Sequence, residues 1–212
     1  MTIYIDSAVL SEVEAAHSLG WVGGVTTNPI LLAKAGGDPR DVLAALAKLK
    51  FKQVYYQLVS TTLEAMYREA QPVSAIFGST LVLKVPPTET GFQFVSSFGF
   101  LFPCCVTAVY SPAQALVARE AGARYIAVYV NRATRLMGDG IKLVEGVAAM
   151  LSGSRTEIIA ASIKSPDEAS QSVGAGAQHL TLPYKVLTGL MSHPLSDATL
   201  VEFAADGTGI KF

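Results

Sequence analysis

Short runs of consecutive apolar, β-branched residues alternate along this chain with segments whose apolar positions recur at helical spacing. Thr2–Asp6, with Ile3 and Ile5, predicts a first strand; Ser7 and Ser11 then offer N-caps to a helix through Val13, Ala16 and Leu19 that Gly20 stops. The stretch from Gly23 to Pro29 reads as a short strand ending in a polar turn, and Pro29 and Asp38-Pro39 each open a helix. Gln53–Val59 is a third predicted strand, and Thr62 starts a helix through Leu63, Met66 and Ala70 that Pro72 should break. Leu81–Val85 is a nearly continuous apolar run with a single cation, Lys84, inside it. A Phe-rich helix around Gly91–Phe100 precedes a strand at Cys104–Val109, and Ser111-Pro112 opens a helix ending at Gly122. Tyr125–Val130 predicts a sixth strand, followed by a helix from about Asp139 to Leu151. Glu157–Ala161 is the seventh strand and Ser165-Pro166-Asp167-Glu168 a strong helix start; His179–Leu182 is the eighth, with helices at Tyr184–Met191 and from about Ser196 to Ala205.

Strands that are apolar throughout are buried on both faces, which marks a parallel sheet covered by helices. Eight such units in one chain favour an α/β fold of the closed (β/α)8, or TIM, barrel type over an open doubly wound sheet. A single domain over residues 1–212 with a short C-terminal helix follows. No G-x-G-x-x-G or Walker motif follows any strand, so a dinucleotide or ATP fold is unsupported.

Composition narrows the functional classes. Half of the 212 residues are hydrophobic, 16% are charged and the formal net charge is −1, which excludes a disordered chain. No run of Lys or Arg provides a footprint for nucleic acid. The uncharged stretch between Glu89 and Arg119 is interrupted by Gln93, Pro103, Thr107, Pro112 and Gln114, so no membrane-spanning segment is expected. The first residues lack the basic and apolar regions of a signal peptide, and Cys104 and Cys105 are adjacent and unsuited to an ordinary disulfide; a reduced, cytoplasmic setting is expected. His17, His179 and His193 are dispersed, so no metal is expected. The low charge, with a mean hydropathy of +0.39, leaves little polar surface for a monomer and predicts a homo-oligomer, with the Phe92–Phe102 region and Trp21 as candidate contacts.

A barrel places its reactive groups at the C-terminal ends of its strands. Those ends read Asp6, Thr26-Thr27-Asn28, Gln57, Lys84, Thr107, Tyr129 with Asn131 and Arg132, and Ser162 with Lys164. Lys84, flanked by Leu83, Val85 and Pro86, is the sharpest signal. A buried lysine must be paired or lose its proton, and desolvation favours the neutral amine, a nucleophile toward carbonyls. Pairing with Asp6 for stability is the competing reading, and the two are compatible. Lys34 has a surface-helix context; Lys164 reads as a solvated cation or a phosphate contact.

Asp6, Gly24-Val25-Thr26-Thr27-Asn28-Pro29, Leu83-Lys84-Val85-Pro86, Thr107-Ala108-Val109-Tyr110, Tyr129-Val130-Asn131-Arg132 and Ala160-Ala161-Ser162 follow one another along nearly the whole chain. In this order they resemble the small transaldolase/fructose-6-phosphate aldolase family. The resemblance implies a class I aldol mechanism without metal or organic cofactor. Lys84 would be the Schiff-base lysine, Asp6, Thr26 and Asn28 would order it and the substrate hydroxyls, and Arg132 and Ser162 would grip a phosphate, with Asn131 beside them. It also implies pentamer rings paired into a decamer, and sugar-phosphate and hydroxyketone substrates. Transaldolase-like members carry Glu and Phe where this chain has Gln57 and Tyr129, the pattern of the aldolase branch. Gln57, Thr107 and the Tyr129 hydroxyl could hold a water that moves protons. The expected activity is therefore reversible cleavage of fructose 6-phosphate to dihydroxyacetone and glyceraldehyde 3-phosphate. The rivals are transaldolase, a deoxyribose-phosphate-type aldolase and a catalytically silent barrel that only binds sugar phosphates. The residues after Arg132 lack the acidic, Gly-rich run of close relatives, and the tail after Phe203 is short.

Overall fold

The computed structural model describes residues 1–210, and its chain runs β1 (Thr2–Asp6), α1 (Leu10–Ser18), β2 (Gly24–Thr26), α2 (Pro29–Ala35), α3 (Pro39–Lys48), β3 (Gln53–Gln57), α4 (Leu63–Phe77), β4 (Leu81–Val85), α5 (Glu89–Phe98) and β5 (Cys104–Val109). It continues with α6 (Pro112–Glu120), β6 (Tyr125–Tyr129), α7 (Val130–Met137), α8 (Gly140–Met150), β7 (Glu157–Ala161), α9 (Pro166–Gly174), β8 (His179–Leu182), α10 (Tyr184–Gly189) and α11 (Pro194–Asp206). Each strand pairs in parallel with the next, and β1 also pairs with β8, which closes an eight-stranded (β/α)8 barrel.

The two-residue period of each strand divides the interior into two cores. Leu81, Leu83 and Val85 of β4 point outward into the layer between strands and helices, while Val82 points into the barrel with Tyr4, Tyr55, Cys105 and Ile159. The same alternation sends Lys84 inward, and it separates the neighbouring cysteines: Cys104 packs in the outer layer, Cys105 inside the barrel. Both thiols are free, and burial pushes each up to about 12.

Three local expectations need correction. Pro72 does not break α4, because Met66, Ala70, Val73 and Phe77 form a buried stripe that carries the helix past an exposed proline. The N-cap of α1 is Val9, without a side-chain cap; Ser7 instead accepts from the Val9 N–H at 3.1 Å and donates to Glu12 at 2.5 Å, and Ser11 lies inside the helix. Residues after Tyr129 form α7, which the sequence did not announce because it lacks a capping side chain. Gly91 is required by space: a Cβ there would sit 2.0 Å from the Pro86 carbonyl oxygen, just beyond β4.

The N-terminal mouth of the barrel is plugged by polar aromatics. Tyr4 donates to Gln53, Tyr55 donates to Tyr4 at 3.2 Å, and the Gln53 amide donates to Tyr125 at 2.7 Å. His179 stacks near Tyr4 and Tyr125, with ring centroids 5.8 and 5.7 Å away. Burial pushes the Tyr4 phenol up to about 12 and Tyr55 further still.

Candidate active site

At the opposite mouth, formed by the C-terminal strand ends, the barrel opens into a cavity of about 500 Å³. Strand register sets its chemistry: Asp6 lies beside Thr26, Gln57 beside Lys84, and Lys84 beside Cys105. Lys84 is 5% exposed and is the one buried lysine among the described residues. Its Nζ donates to the Thr27 carbonyl oxygen at 2.9 Å. That carbonyl is held in place because the Thr27 N–H and hydroxyl both donate to the Tyr55 carbonyl, at 2.9 and 2.8 Å. No ion pair joins Lys84 to Asp6 among the described residues, so the stabilising salt bridge read from the sequence is not realised.

The Asp6 carboxylate is engaged elsewhere. Thr26 Oγ1 donates to Asp6 Oδ1 at 2.8 Å and lies 2.5 Å from Thr181 Oγ1. Thr26 has one hydroxyl proton; with that proton directed at Asp6, Thr181 must donate to Thr26. A hydroxyl relay thus runs from β8 through β2 to a carboxylate on β1. Sequence reasoning missed Thr181, although a polar residue in an apolar strand was its visible signal.

Asn28 lines the cavity, but its side-chain carbonyl caps α2, accepting from the Ile30 and Leu31 N–H groups at 3.0 Å each. Only its amide NH2 remains for a ligand. Gln57 also lines the cavity, and its Oε1 is buried without a partner. Tyr129 ends β6 at the cavity wall, between the Tyr110 ring at 5.9 Å and the Arg132 guanidinium at 5.5 Å. Arg132, Ser162 and Lys164 complete the rim. Ser162 holds a φ of +59° and Ala108 one of +57°; both lie at strand ends and both line the cavity, while Lys50, with a φ of +55°, lies in the turn before β3 away from it.

Two predicted residues lie elsewhere. A bulge between Val106 and Val109 puts Ala108 on the cavity wall and leaves Thr107 buried behind Tyr129, with their hydroxyls 3.5 Å apart, the long limit of a hydrogen bond. Asn131 is not on the cavity wall; it lies in the first turn of α7, where its N–H donates to the Ser162 carbonyl at 3.3 Å and ties the ends of β6 and β7 together. The cavity also draws on side chains no strand-end rule selects, among them Tyr55, Cys105, Ala127 and Ile159. Their inward orientation emerges only once the barrel closes.

A family model described as Transaldolase/Fructose-6-phosphate aldolase matches residues 3–209. The chain belongs to this transaldolase/fructose-6-phosphate aldolase family. It is 36% identical over 209 residues to a probable transaldolase of Shouchella clausii, covering 97% of this chain and 96% of the relative. A probable transaldolase of Moorella thermoacetica is 35% identical over 214 residues, covering 100% and 99%. One from Aquifex aeolicus is 36% identical over 211 residues, covering 97% and 96%. Membership makes the chain an enzyme of this family, for which small sugar-phosphate substrates fit. Among the described residues no helix is long and apolar enough to cross a membrane, and no cluster of three or more His, Cys, Asp or Glu side chains offers a metal site.

Proposed function

We propose that Lys84 forms a Schiff base with a ketose phosphate and that the enzyme passes the resulting dihydroxyacetone unit to an aldehyde acceptor, a transaldolase reaction. The observation that carries this reading is the one buried lysine among the described residues, on the wall of a cavity whose other groups include a carboxylate and two cations at the rim. The Lys84 amine adds to the C2 carbonyl, water leaves, and the iminium accepts the electron pair of the C3–C4 bond as it breaks. Asp6, aligned by the Thr181–Thr26 relay, takes the C4 hydroxyl proton as the aldehyde forms. The enamine then attacks a second aldehyde, Asp6 returns the proton, and water releases the new ketose from Lys84. Arg132, Ser162 and Lys164 offer a phosphate two charges and a hydroxyl on the rim beyond β6 and β7. Every step uses groups of the chain and substrate, so no cofactor is required.

The relatives' names, probable transaldolase in each case, favour transfer over simple cleavage. The aldolase reading rests on the free Gln57 Oε1 and the Tyr129 phenol, which suit a water that protonates the enamine and releases dihydroxyacetone. We also propose a homo-oligomer, a pentamer ring or decamer, and a cytoplasmic setting that suits two free buried thiols.

Borohydride reduction with dihydroxyacetone should add one donor mass to a peptide containing Lys84, and Lys84→Met should abolish it. An adduct that survives in Lys84→Met sinks the assignment, and no adduct in the native enzyme returns the silent barrel. Incubation with fructose 6-phosphate, with and without erythrose 4-phosphate, separates transfer from release. Free dihydroxyacetone formed faster than the transfer product restores the aldolase reading.

A further inference from the structure

We propose that the N-terminal mouth of the barrel, opposite Lys84, carries a second site that takes a small anion with two or more negative charges, of the phosphate-ester or pyrophosphate type. A cavity of about 670 Å³ opens there between the beginnings of the strands from β3 to β7. Arg119 at the end of α6, Arg124 just before β6 and Arg155 just before β7 line it, and no carboxylate does. Two of these guanidiniums are held by main-chain carbonyls from the next unit of the barrel. Arg119 Nη1 donates to Met150 O at 3.0 Å, and Arg124 Nη1 to Arg155 O at 2.8 Å, with Arg124 lying over the Tyr125 ring at 5.3 Å.

Charge bookkeeping around this mouth leaves a surplus. Glu120 accepts from Arg119 Nε and Nη2 at 2.9 and 2.7 Å, and Glu157 lies 3.1 Å from Arg124 Nη2 while also meeting His179. Among the described residues Arg155 has no side-chain hydrogen bond or ion pair, so one cation stays unmatched in a molecule whose net charge is −1. A guanidinium carries its N–H groups in a planar fork suited to phosphate oxygens; Glu120 takes the Nε–Nη2 edge of Arg119 and Glu157 meets Arg124 Nη2, whereas the Arg155 side chain keeps all five N–H groups free. Gly122 brings no side chain to the wall; it holds a φ of +90° and has nothing within 4 Å of where a Cβ would point. Ser79 and Thr80 border the same cavity and add hydroxyls.

This site shares no lining residue with the Lys84 cavity and stands whether or not Lys84 forms a Schiff base. The test is calorimetric titration of the full chain with inorganic pyrophosphate at low, fixed ionic strength. The rim of the Lys84 cavity also attracts phosphate, so the titration uses the Arg132→Gln/Lys164→Gln protein, in which about one equivalent should still bind. Adding Arg155→Gln, which changes a side chain without partners and keeps the main-chain carbonyl that Arg124 uses, should weaken that binding by about tenfold or more without moving the melting temperature, and Arg119→Gln should weaken it independently. Loss of all pyrophosphate binding in Arg132→Gln/Lys164→Gln overturns the proposal. So does an affinity unchanged by both Arg155→Gln and Arg119→Gln, or displacement of pyrophosphate by chloride at equal ionic strength.

Discussion

The Tyr129 hydroxyl stands at the cavity wall with only a 3.5 Å contact to Thr107, so its proton is available to a water or substrate. Removing it should separate release from transfer. Tyr129→Phe is expected to slow formation of free dihydroxyacetone by roughly 10²–10⁴-fold, the range for a lost acid–base group, while borohydride trapping at Lys84 persists. Steady-state release rates unchanged in that variant would remove Tyr129 from the proton path. That Lys84, Asp6 and Gln57 share one cavity was readable from sequence because a barrel gathers its C-terminal strand ends at one mouth. Thr107 and Asn131 are off the cavity wall for a reason sequence spacing cannot express: a bulge in β5 brings Ala108 to the wall, with the Thr107 hydroxyl 3.5 Å from that of Tyr129, and Asn131 falls in the first turn of α7. The Asn28 carbonyl likewise serves the helix that begins beside it.

Strand order and the alternation of strand and helix were visible in the chain because uninterrupted apolar runs have one common explanation, burial on both faces. Helix ends were less visible where packing overrides local preference. Proline costs about 3 kcal/mol inside a helix, yet in α4 four buried side chains outweigh it. The opposite case is α11, thirteen residues long with none buried, exposing Leu195, Leu200, Val201 and Phe203. An isolated helix of that length is marginal in water, and such an apolar face needs a partner. A second copy of this chain is the occupant that fits the proposed oligomer, and light scattering at micromolar concentration should give a multiple of 22.3 kDa. Leu200→Glu with Phe203→Glu should lower that mass while leaving the circular dichroism of the barrel intact. A native protein that scatters as a monomer refutes the assembly. Trp21, Phe100 and Leu101 are also exposed, whereas Phe94 is fully buried, so the aromatic segment named from sequence divides between core and surface.

For the molecule as a whole, the polar plug ties stability to pH. Burial lowers the His179 pKa below its ordinary 6.5, and Glu157 only partly offsets this. Between the lowered folded value and 6.5 the unfolded chain therefore binds more protons than the folded one, so stability is full above 6.5 and declines as pH falls through that window. Melting temperature should drop as pH falls below about 6.5, and His179→Gln should flatten the drop; an unchanged pH profile in that variant would exclude the histidine as its source. The seam between β1 and β8 has a further consequence, one of timing. Thr2 pairs with His179 across nearly the whole length of the chain, and non-local pairings of that kind form late. During synthesis β1 and β7 must wait as open edges until the last strand leaves the ribosome, a period in which the nascent chain is exposed to mispairing. Asp6 and Thr181 lie on the two sides of that seam, linked through Thr26, so the proton relay comes into being only when the circle closes. Recovery of activity during refolding should then trail the recovery of helix, because the last strand to arrive is also the one that completes the relay.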